Sequence, residues 1–417
     1  MALHWQILIA LLLAVLTGIF FDQDFSVFGI SFISILVFFG TLFLNALKML
    51  IVPLIMASII TGMMSLKSDA LGRLGSKTVL YYATTSLVAI LIGLFFVNIL
   101  QPGIIDGEPA RNIIGLSSDT EEIVNRVGGK GAADIAEVLL RMVPANIVAA
   151  AAKGQMLGLI FFSLIFGFFV SRLEGAQAQA HRDFWQGLLD IMMMMTDFIM
   201  RFAPYGVYAL VAKVIMMSGV DAFEPLALFF ATVVLALATH LLLFLPAILR
   251  FLARVSPTKH FKAMIPALLT AFSTSSSSAT LPITMDCVEN RAGVSNQVSG
   301  FTLPLGATIN MDGTALYECV AAMFIAQAYG LSLDITTQFT IVLVALLTSV
   351  GVAGIPSASL VAITIILAAI GLPLEAIGLI LVVDRVLDMC RTSVNVFSDS
   401  CAAVTIARLE GEETNLI

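Results

Sequence analysis

Charge is scarce in this chain. Only 12% of its 417 residues are Asp, Glu, Lys or Arg, while 59% are hydrophobic. A soluble domain carries about 25% charged residues, so the composition excludes an ordinary soluble protein and points to a polytopic membrane protein. Cysteine is equally sparse. Cys287, Cys319, Cys390 and Cys401 form no CxxC pair and fall in or near apolar segments, which predicts unpaired, buried thiols. The four histidines, His4, His181, His240 and His260, have no metal-ligand spacing. His240 lies in an uncharged run and reads as a hydrogen-bonding residue between helices. No basic run suggests a nucleic-acid partner, and the net charge of −7 comes with no like-charge tail. Trp5–Phe21 has no Lys or Arg before it and no A-x-A pattern, so it reads as a first span rather than a cleaved leader.

A span needs roughly 20 apolar residues. Candidates are 5–21, 32–66, 78–101, 154–171, 188–217 and 225–249. Basic residues cluster in alternate connections: Lys67, Arg73 and Lys77; Arg172 and Arg182; Arg250, Arg254, Lys259 and Lys262. The 22–31 and 218–224 connections have none. This alternation predicts cytoplasmic termini in a multi-pass protein of the inner (plasma) membrane. The 102–153 region mixes both signs and is expected to be an outside loop followed by short helices.

Beyond residue 262 the pattern changes. Ala263–Met285 is uncharged but contains the run Ser273-Thr-Ser-Ser-Ser-Ser278. Ile335–Leu374 is uncharged over 40 residues, about 60 Å as a single helix, and is interrupted by Thr348-Ser-Val-Gly-Val-Ala-Gly-Ile-Pro-Ser-Ala-Ser359. Each is expected to be a re-entrant helical hairpin, one entering from each side, because irregular backbone at membrane depth survives only where protein or water satisfies it. Each precedes a helix carrying polar residues. Paired broken segments of opposite entry are the pattern of inverted repeats around a midplane site.

The helix after the second hairpin carries Asp384, Arg385, Asp388, Arg391, Asn395 and Asp399. At about 100° per residue, all but Arg385 fall within a stripe of about 80°. A charge at mid-membrane costs about 2.5–3.5 kcal/mol on insertion scales, so the stripe should face a site. Arg391 offers a bidentate fork for a carboxylate, and Asp388, three residues earlier, either pairs with it or accepts an ammonium. Thr392, Asn395 and Thr314 add neutral hydrogen bonds. The serine run offers backbone N–H groups at a helix end for a second carboxylate. Two anion receptors and one ammonium acceptor describe an acidic amino acid. Asn310-Met-Asp-Gly-Thr314 brings oxygen ligands into a span, with Gly313 expected to loosen the helix. Such a stretch suits a monovalent cation, with Asp399 and the Asn395 backbone completing the site. Glu318 is either paired with a buried cation or able to carry a proton, since burial favours the neutral carboxyl. Tyr82, Thr85 and Ser86 share one face of the third span and by themselves read as interhelical hydrogen-bonding groups.

The serine run 275–278 with Ala-Thr-Leu-Pro282, the Asn310–Thr314 motif, Ala353-Gly-Ile-Pro356 and the Asp388…Arg391-Thr…Asn395…Asp399 helix resemble the glutamate transporters of the dicarboxylate/amino-acid:cation symporter family. The resemblance covers essentially the whole chain. It implies an all-α membrane protein with eight transmembrane helices and two re-entrant hairpins in inverted repeats. It also implies a homotrimer, in contact with membrane lipid, that works as an elevator. Residues 1–75 and 128–218 would form the scaffold and trimerisation domain. Residues 76–127 and 219–417 would form the transport domain, with hairpin 1 near 259–292, helix 7 near 296–330, hairpin 2 near 335–372 and helix 8 near 374–408. The implied substrate site comprises Ser276, Ser277, Ser278, Thr314, Gly354, Ile355, Pro356, Ser359, Asp388, Arg391, Thr392 and Asn395. One implied sodium lies on Gly306, Asn310, Asn395 and Asp399. A second lies on Thr308, Ser349, Val350 and Val352, and a third on Tyr82, Thr85, Ser86, Asn310 and Asp312. Glu318 matches a proton-carrying position.

The chain departs from the family where a further arginine usually stands near the substrate: it has Ser275 and Met389 at those places. Arg385, one turn before Met389, is expected to supply that charge. Ser357 and Ser359 stand where glycine is common. The sequence therefore reads as a transporter, not an enzyme, that imports glutamate or aspartate with sodium, protons or both. A C4-dicarboxylate symporter of the same fold is the nearest alternative. A passive anion channel would have no use for Asp312 and Asp399. A serine hydrolase lacks a GxSxG motif and a histidine in the last two helices.

Overall fold

The computed structural model describes residues 3–65, 73–110, 140, 143–152, 156–218, 223–331, 334–349, 358–373 and 376–416. The described chain is mostly helical, as apolar sequence that must satisfy its own backbone requires. Helix α1 (Leu3–Phe20) packs on α7 (Ala203–Ser218), and α2 (Phe32–Ser65) packs on α5 (Met156–Val170), α6 (Gly175–Met200) and α7. Helix α3 (Arg73–Leu100) ends at a short antiparallel pair, β3 (Ile104–Ile105) with β4 (Glu108–Pro109); β1 (Ser26–Val27) and β2 (Ile30–Ser31) pair likewise between α1 and α2. A short α4 (Ile147–Ala152) precedes α5, and the rest of the long connection, 111–139, lies outside the described residues.

The 188–217 segment, expected as one span, is instead divided. Helix α6 begins at Gly175, inside the expected loop, and stops at Met200; α7 restarts at Ala203. Pro204 explains the division, since it lacks an N–H and its ring disfavours a helical residue before it. The polar start of α6 is helical because Gln179 bonds Asp183 at 2.7 Å and Gln186 bonds Asp190 at 2.9 Å, each one turn along. Helix α8 (Phe223–Thr239) continues through a π turn, His240–Phe244, into α9 (Leu245–Phe251). Leu74–Leu100 and Glu224–Phe251 are, among the described residues, the two helices long and apolar enough to cross a bilayer by length and composition.

Helices α10 (Pro257–Thr274) and α11 (Ser277–Asp286) form a hairpin whose tip is Ser275–Ser276. Ser275 turns the chain in the left-handed region (φ 52°), and Ser276 is extended and caps α11 by accepting the Ala279 N–H at 3.2 Å. Then follow α12 (Asn296–Ile309), α13 (Asp312–Ala328), α14 (Ile335–Ser349), α15 (Ala358–Ile370) and α16 (Ile377–Leu409). Every residue of α13 is buried. Packed against α3, α8, α14 and α16, this helix is central to the described fold, which is why its later turns are mostly apolar and its polar residues Asp312, Thr314, Glu318 and Gln327 are buried with it. A second core joins α10 to the later part of α16, where Phe261 stacks on Phe397 with ring centroids 4.1 Å apart. The four cysteines are free, as expected, with Cys390 half-buried and the others buried.

Candidate functional site

The helical course breaks between α12 and the fully buried α13. Asn310 (φ −101°, ψ 81°) and Met311 (φ −113°, ψ 60°) leave helical geometry between α12 and α13. The unwound pair thus precedes Gly313, which is helical and does not loosen the chain. Its role is close approach: a Cβ there would lie 2.5 Å from the Arg391 carbonyl oxygen and 3.0 Å from its Cα. Helix α16 therefore crosses directly over the start of α13.

Buried oxygens gather at this opening. Asn310 donates to Asp399 Oδ1 at 2.9 Å and to Ser398 Oγ at 3.1 Å. Its own Oδ1 accepts from Thr85 at 3.3 Å. Ser86 donates to Asp312 Oδ1 at 2.7 Å and Ser398 to Asp312 Oδ2 at 2.6 Å. Tyr82 donates to the Thr302 carbonyl at 2.7 Å. A Cβ at Gly306 would fall 2.5 Å from Asp399 Oδ1 and 2.8 Å from the Tyr82 hydroxyl, so only glycine lets these groups meet the α12 backbone. The structure thus brings Tyr82, Thr85, Ser86, Gly306, Asn310, Asp312 and Asp399 together. Thr308 is half-buried and bonds instead to Leu305 O in its own helix, at 2.9 Å. Oxygen donors with two carboxylates and no thiolate or metal-spaced imidazole suit a hard cation.

One turn away on α16 lies the ion cluster. Arg391, 1% exposed, reaches Asp388 Oδ1 with Nε at 3.1 Å and Asp384 Oδ1 with Nη1 at 3.1 Å. Its Nη2 is 2.8 Å from Asp388 Oδ1 but is not aligned for a hydrogen bond to any described residue. Arg385 Nη1 lies 3.3 Å from Asp388 Oδ2. The guanidinium of Arg391 stands 4.4 Å over the Tyr317 ring, and Tyr317 donates to Asp384 at 2.9 Å. Two arginines and two aspartates balance in charge, which makes their burial tolerable. The internal pairing of Asp388 with Arg391, one of the two sequence alternatives, is what the structure shows.

Between the two groups stands Asn395. Its Oδ1 accepts the Gly313 N–H at 2.8 Å and the Thr314 N–H at 3.3 Å, and its Nδ2 donates to Thr314 Oγ1 at 3.0 Å. Thr392 donates to Asp388 O at 2.7 Å, within the helix. Glu318 has Thr348 Oγ1 as its described partner, at 2.9 Å, rather than a cation. In the hairpin, Ser276 and Ser277 are buried and Ser278 is exposed; α10 and α11 pack on α16, where Ser393 donates to Leu268 O at 3.4 Å. Ser349 ends α14 and Ser359 is buried at the start of α15. Val350, Val352, Gly354, Ile355 and Pro356 lie outside the described residues.

Sequence reading gave no role to Tyr317, Asp384 or Ser398. Tyr317 follows Thr314 by three positions, and so shares its helix face; that was the available signal. Asp384 belonged to the stripe without a partner being legible.

An interrupted, largely buried helix beside a charge-balanced cluster and a serine-tipped hairpin is the construction of a secondary transporter. The chain belongs to the sodium:dicarboxylate symporter family, whose profile matches residues 3–409. It is 34% identical over 415 residues to the proton/sodium-glutamate symport protein of Bacillus caldotenax, covering 98% of this chain and 95% of that one. It is 34% identical over 416 residues to the proton/glutamate-aspartate symporter of Escherichia coli K12, covering 98% and 93%. Excitatory amino acid transporter 3 of Mus musculus is 36% identical over 414 residues, covering 90% and 79%.

Proposed function

We propose that the chain imports glutamate or aspartate together with sodium and protons, and that it is a transporter rather than an enzyme. The curated relatives named above are glutamate or glutamate/aspartate symporters and an excitatory amino acid transporter, which supports the substrate class and both cations. The observation that carries the reading lies in the site itself. Arg391 Nη2, Arg385 Nε, Ser275 Oγ, Ser359 Oγ and Glu318 Oε1 are buried polar atoms without a hydrogen-bond partner among the described residues. A buried polar atom left unpaired costs about 1–3 kcal/mol, and these five sit on the hairpin 1 tip, α13, the start of α15 and α16. They describe a polar surface built for a ligand with its own donors and acceptors.

In this reading Arg391 exchanges its aspartate contacts for the substrate side-chain carboxylate, and Asp388 takes the ammonium. Arg385 remains on Asp388 as the auxiliary charge. Ser276–Ser278 present the α11 N-terminus to the other carboxylate, and Thr314, Thr392, Asn395, Ser359 and residues 354–356 complete the pocket. Sodium takes the Asn310–Asp399 oxygens with Gly306 and Asn395, and the Asp312 oxygens with Tyr82, Thr85 and Ser86. A further ion takes Thr308 with the carbonyls of 349, 350 and 352. Glu318 carries the proton.

The finer architecture is part of the same proposal. It has eight spans and two re-entrant hairpins related as inverted repeats, with cytoplasmic termini. A scaffold (1–75, 128–218) trimerises among membrane lipids, and a transport domain (76–127, 219–417) slides against it. The gathering of site residues on α3, α10–α13 and α16 supports one moving body. A C4-dicarboxylate has no ammonium and no need of Asp388. Uptake of labelled glutamate, aspartate and succinate by proteoliposomes tests the assignment. Glutamate or aspartate should be accumulated and succinate should compete weakly; accumulation of succinate alone would overturn it.

A further inference from the structure

Asp312 has a third partner that no part of the proposed site includes. His240 Nε2 lies 3.0 Å from Asp312 Oδ2, and both side chains are fully buried. A carboxylate only accepts, so the proton in this bond sits on Nε2. The ring's Nδ1 has no hydrogen-bond partner among the described residues, so the imidazole enters the network through Nε2 alone. Its plane is held by stacking on Phe244, with centroids 5.2 Å apart at 26°.

The backbone at His240 is specialised. The π turn His240–Phe244 closes with the Leu245 N–H bonded to His240 O, five residues back. Pro246 follows, and a regular helix would drive its ring against the carbonyl four residues earlier, that of Leu242. Widening the helix by one residue relieves that clash and shifts the register of α8 relative to α9. His240 stands where the register changes. The distortion, the stacked ring and the hydrogen bond all bear on one carboxylate oxygen.

We propose that His240 is a positioning residue for the cation site at Asp312. By donating to Oδ2 alongside Ser398, it turns Oδ1 toward the space shared with Ser86, Thr85 and Asn310. A donor held from outside the ligand set fixes carboxylate orientation before the ion arrives, and loss of such a partner typically costs 10–100-fold in metal affinity. The inference rests on the reading of Asp312 as a sodium ligand. It assigns the π turn between α8 and α9 a part in selecting the co-transported ion, although neither that turn nor those helices supply any of the proposed ligands.

The test is sodium titration of the purified, substrate-free protein, read as the sodium-dependent rise in melting temperature, with glutamate affinity at saturating sodium measured beside it. His240→Phe keeps the stacking on Phe244 and removes the donor; His240→Met is the second apolar variant should the first not fold. His240→Gln keeps a donor. The apolar variants should need about tenfold more sodium or beyond for half-saturation, with glutamate affinity at saturating sodium preserved. His240→Gln should stay close to the parent. An unchanged sodium titration in the apolar variants, or a loss in His240→Gln as large as in His240→Phe, would overturn the inference. Asp312→Asn separates the two levels. If it weakens sodium binding while His240→Phe does not, only the positioning role fails. If Asp312→Asn is itself neutral, the reading of the cation site fails.

Discussion

Asn310 donates to Asp399 at 2.9 Å from the one pair of residues that interrupts the helical course between α12 and α13. That bond ties the unwound backbone to α16, four residues beyond Asn395, which holds the start of α13. The proposed cation oxygens and the proposed substrate groups are therefore parts of one joint. On the proposed reading, filling the cation side would order the surface that the substrate meets, and the coupling would be reciprocal in binding.

Replacing Asp399 by asparagine keeps the shape and removes a charge. The sodium concentration for half-maximal uptake should rise tenfold or more, by about 1.4 kcal/mol or beyond. Glutamate affinity measured at saturating sodium should change much less. Uptake against sodium concentration, at fixed and at saturating glutamate, separates the two effects.

Gly313→Ala places a methyl 2.5 Å from a backbone oxygen of Arg391, where no side chain can swing aside. Overpacking of this kind costs about 1–3 kcal/mol. The variant should melt at a lower temperature and lose glutamate binding, because α16 is displaced at Arg391 itself. Isothermal titration with glutamate and a thermal melt provide the two readouts.

Asp388 holds both arginines from opposite oxygens. Asp388→Asn should abolish amino-acid uptake by removing the proposed ammonium partner. Binding of a dicarboxylate without an ammonium should be retained or improved. Competition by succinate against residual glutamate binding measures the shift in selectivity.

The segment after α16 binds both feet of hairpin 1. Glu412 accepts from the Ser295 N–H at 3.0 Å and its hydroxyl at 2.5 Å, Ser256 N–H reaches Leu416 O at 2.9 Å, and Asn415 N–H reaches Ala292 O at 2.9 Å. Gly293 (φ 80°) leaves room for Asn415, to which an added Cβ would come within 2.9 Å. Hairpin 1 and α16 are thereby one body at this end. Glu412→Ala should lower stability by about 1 kcal/mol and raise hydrogen exchange at 291–296, with glutamate affinity nearly intact.

Much of this was legible because the chemistry was local. The serine run announced a hairpin tip, and the tip is at Ser275–Ser276. The polar stripe announced a buried face, and Asp384, Asp388, Arg391, Asn395 and Asp399 are buried. His240 was expected to bond between helices, and it does. Local pattern misled where one residue outweighed its neighbours: Pro204 divides an apolar run that hydropathy reads as continuous. Gly313 was read as a loosening residue, but its role depends on a helix nearly eighty positions away, information that no spacing contains. The Tyr317–Arg391–Asp384 arrangement escaped for the same reason, since it joins α13 to α16 across the core.

The central claim is that inward movement of an acidic amino acid is driven by cations bound in the same joint. Proteoliposomes carrying the purified protein should be given a sodium gradient alone, a proton gradient alone, both, and neither, with internal labelled glutamate followed over time. The account predicts accumulation above the external concentration when the gradients are imposed, and mere equilibration when both are absent. Concentrative uptake with neither gradient, or flux that never exceeds equilibration with both, would contradict it.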